Sequence, residues 1–165
     1  FKEKTLIDRV NNALRESGMA ANHLELEITE GLIMQDVDQA IATMKELQHL
    51  GVQLAIDDFG TGYSSLNALK NFPVARLKID KSFIKNLASD DRDKAVAAAV
   101  ISLGQKLNLR VIAEGVETAE QHGFLVSHGC RAFQGYLFGR PEPVQQLEQR
   151  TRSNSLASKN PELKN

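Results

Sequence analysis

A chain of 165 residues, 42% hydrophobic and 25% charged, is long enough for one domain with a substantial core. The formal net charge of −1 supplies no basic excess, which argues against a general binder of nucleic-acid polymers; any phosphate the protein handles must be met locally. The single cysteine, Cys130, excludes an internal disulfide framework, and the lack of a signal peptide or a long apolar run gives the expectation of a reduced, cytoplasmic segment without a membrane span.

The chain enters an amphipathic segment directly at Phe1, as a piece of a longer polypeptide would, and apolar spacing predicts a helix over Lys4–Ser17. A strand is expected at His23–Thr29, then a helix at Asp36–Leu50 with Asp36 as its cap. The apolar run Val52–Phe59 predicts a strand that carries Asp57 and Asp58 into the loop Gly60-Thr61-Gly62. A short helix near Ser64–Asn71, capped by Ser64, ends at Phe72-Pro73, and a strand follows at Ala75–Asp80. Next come a helix at Arg92–Leu107, a strand at Arg110–Val116, a helix at Thr118–His128 capped by Thr118, and a strand at Arg131–Phe138. Pro141 and Pro143 separate the last strand from a helix at Val144–Arg150, which closes a domain over residues 1–150; the polar stretch 151–165 is expected to be a disordered tail.

Alternation of strand and helix with short connections implies a parallel sheet in an α/β fold. The polar residues choose between an open and a closed sheet. Leu24, Leu26 and Ile28 alternate with Glu25, Glu27 and Thr29; Leu77 and Ile79 alternate with Arg76, Lys78 and Asp80; Val111 and Ala113 alternate with Arg110, Ile112 and Glu114. Lysine and carboxylates on one face do not suit the dry interior of a doubly wound sheet, but they suit the mouth of a barrel. A complete (β/α)8 barrel takes about 250 residues, so the expectation is a partial TIM-type barrel of five βα units.

Every expected strand places polar groups at its C-terminal end: Glu27 and Glu30, Asp57 and Asp58, Lys78 and Asp80, Glu114 and Glu117, and Gln134. That end carries the active site in barrels of this kind. Converging carboxylates repel one another unless cations neutralise them, and an all-oxygen set selects hard ions, Mg²⁺ or Mn²⁺ ahead of Ca²⁺. The adjacent pair Asp57-Asp58 suits two ions, and two-metal sites perform in-line displacement at phosphorus, with Lys78 adding positive charge or orienting water. Taken singly each feature has an ordinary reading. Glu-Leu-Glu alternation marks a solvated strand face, Asp-Asp-Phe-Gly caps a turn, and Lys78-Ile79-Asp80 forms a surface ion pair. Coincidence of all of them at one end is what argues for a site. The four histidines are scattered without metal-ligand spacing, Cys130 reads as a small buried hydrophobe, and Tyr136 and Phe138 are expected to pack in the core, although both lie within reach of a bound base.

These residues also carry a resemblance. Leu26-Glu27-Ile28-Thr29-Glu30, Asp57-Asp58-Phe59-Gly60-Thr61-Gly62-Tyr63-Ser64-Ser65-Leu66, Leu77-Lys78-Ile79-Asp80, Ala113-Glu114-Gly115-Val116-Glu117 and Phe133-Gln134-Gly135-Tyr136 closely resemble, in order and interval, the bacterial EAL-domain phosphodiesterases from about Phe1 to Gln149. The resemblance implies a modified TIM barrel that hydrolyses cyclic di-GMP to linear pGpG with Mg²⁺ or Mn²⁺, two ions being expected. It assigns Glu27, Asp57, Asp58, Asp80 and Glu114 to the metal and water shell, Lys78 to the attacking water, and Glu114 also to the role of general base. Gln134 joins the metal–water network, Glu30 anchors the loop Asp58–Ser65, and Glu117 supports the site by hydrogen bonds. The resemblance further implies a homodimer through the 58–65 region, and a parent protein with upstream sensory or GGDEF-type domains and a membrane anchor outside this segment.

The Glu-Ala-Leu segment that names the family, with its metal-binding Glu and phosphate-contacting Arg, is not among these residues, nor is the family's Asn ligand, so the fragment alone is expected to be weakly active or inactive. Two alternatives stand beside the enzyme: a catalytically inactive cyclic di-GMP-binding or protein-interaction module, and an unrelated barrel enzyme acting on a phosphorylated sugar. The intact set Asp57, Asp58, Lys78, Glu114 and Gln134 favours an active parent, and Gly135 with Gly139-Arg140-Pro141 supplies only a thin phosphate loop for the phosphosugar reading.

Overall fold

A computed structural model describes residues 3–62 and 66–149. The elements are α1 (Glu3–Ser17), β1 (Glu25–Thr29), α2 (Glu30–Ile33), α3 (Val37–His49), β2 (Gln53–Phe59), α4 (Leu66–Leu69), β3 (Arg76–Ile79), α5 (Lys81–Lys85), α6 (Asp91–Lys106), β4 (Arg110–Glu114), α7 (Ala119–Ser127) and β5 (Ala132–Gln134). Residues 144–149 are also helical. The strands form one parallel sheet in the order β1-β2-β3-β4-β5. An open doubly wound sheet reverses its strand order at a switch point. Here each strand lies beside its predecessor, as in a barrel wall, and the fold is a partial (β/α)8 TIM-type barrel of five βα units.

Strand register separates two faces. Glu27 pairs with Ala55, Leu77 with Val111, Lys78 with Ile112, and Glu114 with Gln134. Neighbours in a parallel ladder point the same way, so Leu54, Ile56, Leu77, Ile79, Val111 and Ala113 face the helices while Glu27, Lys78 and Glu114 face the barrel interior. The helix-facing set is buried against Met44 and Leu47 of α3, Ile84 of α5, Ala97 and Ile101 of α6, and Leu125 of α7. Each large apolar side chain fully buried there contributes roughly 1.5–3 kcal/mol relative to exposure, and this packed layer holds the strand ends in place.

Helix starts follow the expected chemistry. Asp36 accepts the N–H of Gln39 at 3.0 Å, and Thr118 and Gln121 form a reciprocal capping box at α7. The expected Ser64 cap and the tail 151–165 lie outside the described residues. Three expectations are corrected. Two single-turn helices, α2 and α5, follow β1 and β3 directly, too short to leave a helical period. The last strand stops at Gln134 instead of running to Phe138, because the backbone turns over residues 135–138. That turn carries Tyr136 and Phe138 outward, 53% and 50% exposed, so neither packs in the core. Among the described residues no helix is long and apolar enough to cross a membrane.

Candidate active site

The interior face converges on one buried ammonium. Lys78, only 5% exposed, donates from Nζ to Glu27 Oε1 at 2.7 Å, Glu114 Oε1 at 2.7 Å and Asp57 Oδ1 at 3.2 Å. β1, β2, β3 and β4 thus each supply one group to a single cluster. Burial alone would push the lysine's pKa down, but the hydrogen bonds to Glu114, Glu27 and Asp57 outweigh it and hold the amine above the ordinary lysine range. Lys78 is therefore a fixed cation.

A bulge explains how β2 presents two carboxylates. Ile56 pairs with Leu77 and Phe59 with Ile79, so β2 spends three residue steps where β3 spends two. Asp58 takes the extra position with φ 53°, a left-handed conformation that Asp tolerates better than most residues. Its N–H bonds Asp57 Oδ1 at 3.0 Å. Strict alternation would turn Phe59 to the same face as Asp57; the bulge returns Phe59 to the core, where it is 5% exposed. Asp58 in turn meets Asp80, the residue after β3. Burial, the Asp57 charge and the Asp80 hydrogen bond push the Asp58 carboxyl up. Asp80 sits below the ordinary carboxylate range, because Ser82 and the bond with Asp58 overcome the opposing effect of burial. Its Oδ1 also accepts the Ser82 N–H at 2.9 Å, starting α5.

The remaining expected residues lie around this rim. Glu30, 1% exposed at the start of α2, accepts the N–H of Gly60 at 2.8 Å and of Gly62 at 3.4 Å through Oε2, while its buried Oε1 has no hydrogen-bond partner among the described residues. Residues 63–65 of the same loop fall outside the described residues. Gln134 is exposed at the end of β5, beside Glu114 across the ladder. Glu117 is exposed on the loop after β4, and it is the Glu117 N–H that is bonded, to Gln121 Oε1 at 2.8 Å. A cleft of about 300 Å³ between Lys81, Glu114, Glu117, Gln134 and Tyr136 opens beside the carboxylates. Sequence reasoning passed over Gln121, which is 5% exposed, although the Thr-x-x-Gln spacing of a capping box marks it.

Among the described residues no set of three or more His, Cys, Asp or Glu side chains is arranged as a metal cage. The carboxylates close on Lys78 instead, each through one oxygen. The donor chemistry nevertheless fits hard divalent cations. It is all oxygen, and Glu27, Asp57, Asp58, Asp80 and Glu114 outnumber Lys78, the ammonium bonded to three of them.

Fold and site together define a barrel protein whose strand-end mouth is acidic and centred on a lysine. The family model described as "EAL domain" matches residues 1–141, and the chain belongs to that family. Among its relatives, the cyclic di-GMP phosphodiesterase NbdA of Pseudomonas aeruginosa is 50% identical over 145 residues, 88% of this chain and 18% of NbdA. The solved phosphodiesterase of MucR from the same organism, in complex with cyclic di-GMP, superposes with a TM-score of 0.84 at 48% identity, covering 86% of this chain and 57% of that one. BlrP1 of Klebsiella pneumoniae, solved with manganese and cyclic di-GMP, gives 0.73 at 36% identity over 84% of this chain and 34% of its own. The chain thus spans about a fifth of the length of the curated relatives it matches.

Proposed function

We propose that these residues form part of a site that hydrolyses cyclic di-GMP to linear pGpG with Mg²⁺ or Mn²⁺. The observation that carries the reading is the junction of Lys78 with Glu27, Asp57 and Glu114 on the inward face of four parallel strands. Relatives at 50% and 48% identity that bear the phosphodiesterase name support it, as do the solved cyclic di-GMP complexes.

Glu27, Asp57, Asp58, Asp80 and Glu114 would hold the cations, two being the number the adjacent pair Asp57-Asp58 suits. Bound there, the ions supply Lewis acidity and a more acidic water. In the loaded site Lys78 gives up one of its three carboxylate bonds and donates that N–H to the attacking water, which fixes its approach. Glu114, already bonded to Lys78, accepts the proton as general base. The water oxygen forms the new bond to phosphorus, the P–O3′ bond breaks, O3′ takes up a proton from solvent, and a linear dinucleotide with a 5′-phosphate leaves. Gln134 extends the hydrogen-bond network, Glu117 supports the rim, and Glu30 holds the loop after Asp58 through Gly60 and Gly62. We further propose that the loop region 58–65 joins two copies in a homodimer, and that the parent carries upstream sensory or GGDEF-type domains. Because these residues correspond to 57% of the MucR phosphodiesterase chain, their turnover in isolation is expected to be weak. A place in the cytoplasm completes the reading.

Incubating the chain with radiolabelled cyclic di-GMP, with and without Mn²⁺, tests this directly. Binding that requires the ion is expected, with any product being the linear dinucleotide and with Glu114→Gln removing product. Binding indifferent to Mn²⁺, or a product lacking the 5′-phosphate, would contradict it.

A further inference from the structure

The loop that follows Glu114 is held from three directions. Gly115 adopts φ +70° and lies so close to α5 that an added Cβ would stand 2.7 Å from Lys81 Cβ. Val116 is locked to the end of β5: its N–H donates to Gln134 O at 3.0 Å and its carbonyl accepts the Leu137 N–H at 3.1 Å. A Cβ on Gly135 would fall 2.1 Å from the Val116 carbonyl oxygen, so the two backbones touch. The third hold is Gln121. Its Oε1 accepts both the Glu117 N–H at 2.8 Å and the Thr118 N–H at 3.0 Å, while its Nε2 donates to Lys85 O at 3.3 Å.

An ordinary capping-box Gln reaches back to the N-cap alone. This one spans to another element. Lys85 ends α5, whose first turn is capped by Asp80, and Glu117 ends the loop that begins at Glu114. One buried amide therefore ties the segment carrying Asp80 to the segment carrying Glu114, and through Val116 to the strand end carrying Gln134. We infer that Gln121 is a positioning residue that fixes the relative placement of Asp80 and Glu114, and with it the cation affinity of the mouth, although it touches neither carboxylate. The inference rests on the proposed divalent-metal site. Supports that orient ligands from behind commonly control affinity by 10–100-fold.

Two substitutions divide the roles. Gln121→Glu keeps an acceptor for the Glu117 and Thr118 amides but loses the donor to Lys85; Gln121→Ala loses all three bonds. Two readouts are taken on folded protein: amide hydrogen exchange at Glu117 and Thr118 by NMR, and Mn²⁺ affinity by calorimetry, with thermal melting as the check on folding. In Gln121→Ala the two amides are expected to lose protection and Mn²⁺ affinity to fall about 10-fold or more. Gln121→Glu is expected to keep both amides protected yet still weaken Mn²⁺, because the tie to α5 is cut. Unchanged Mn²⁺ affinity in both folded variants would overturn the positioning role. Should Gln121→Ala fail to fold, Gln121→Glu alone decides it by the same measure. A parent chain that does not bind Mn²⁺ would instead sink the metal reading, and protected amides in Gln121→Ala would then refute the brace.

Discussion

Lys78 neutralises three carboxylates at one point of the barrel interior. Without it, Glu27, Asp57 and Glu114 would face one another across the barrel interior. Lys78→Met is therefore expected to lower unfolding stability by about 3 kcal/mol in metal-free urea denaturation, the low end for a buried pair because Glu27 remains 45% exposed. Mn²⁺ should restore more stability to this variant than to the parent, since the ion then supplies the missing positive charge; equal recovery would argue that the carboxylates do not share a cation. The pH sign follows from the raised lysine pKa. Its contribution is full below the unfolded lysine value and is lost only as pH climbs through the higher folded one, so neutral and mildly alkaline solutions leave it intact. Asp80 works the other way: its depressed carboxyl contributes above the ordinary Asp value and loses that contribution under acid.

Elements decide whether such residues meet at all, and β2 is the sharpest case. The left-handed backbone at Asp58 suits Asp, Asn or Gly and strains a β-branched residue. Asp58→Asn should fold like the parent, whereas Asp58→Val should be less stable than Asp58→Asn by about 1–2 kcal/mol, measured by denaturant unfolding without metal. Equal stabilities would mean that the bulge relaxes. Gly135→Ala tests the other close approach. With a Cβ driven into the Val116 backbone, a loss of about 3 kcal/mol is expected, with the loop after Glu114 displaced. The bulge was not legible in the sequence, since Ile56-Asp57-Asp58-Phe59 reads as plain alternation followed by a turn. The register shift that lets Asp57 and Asp58 both serve the mouth emerges only from pairing with β3. For a similar reason α2 and α5 were invisible: one turn, begun by a strand-end residue, has no period to detect.

At the scale of the whole molecule, the barrel wall was readable because the strands turn apolar residues toward the helices and carry their polar residues on the inward face, which they share with Ala55, Ile112 and Ala132. Glu27, Asp57, Lys78 and Glu114 were legible as inward-facing strand residues, although Glu27 stands mid-strand in β1 and not at its end, and their meeting follows from parallel direction and register. What sequence could not give was the route of the chain past Gln134. Aromatic Tyr136 and Phe138 extended the apparent strand, whereas the Val116 backbone captures the turn and leaves those rings exposed. Nor could it show that the carboxylates close on Lys78 through one oxygen each. A cation that joins them should stabilise the folded chain by mass action, by about 2.7 kcal/mol at one hundred times its dissociation constant. Melting temperature should rise with Mn²⁺ and return to its starting value with a chelator.

Calorimetric titration of Mn²⁺ into this chain and into its Asp57→Asn variant, each in the presence of cyclic di-GMP, is the most direct measurement. Saturable binding to the parent, weakened at least about tenfold by removing one carboxylate charge, is the expected result. Equal heats and equal affinity in the two proteins would show that the acidic mouth does not hold the ion.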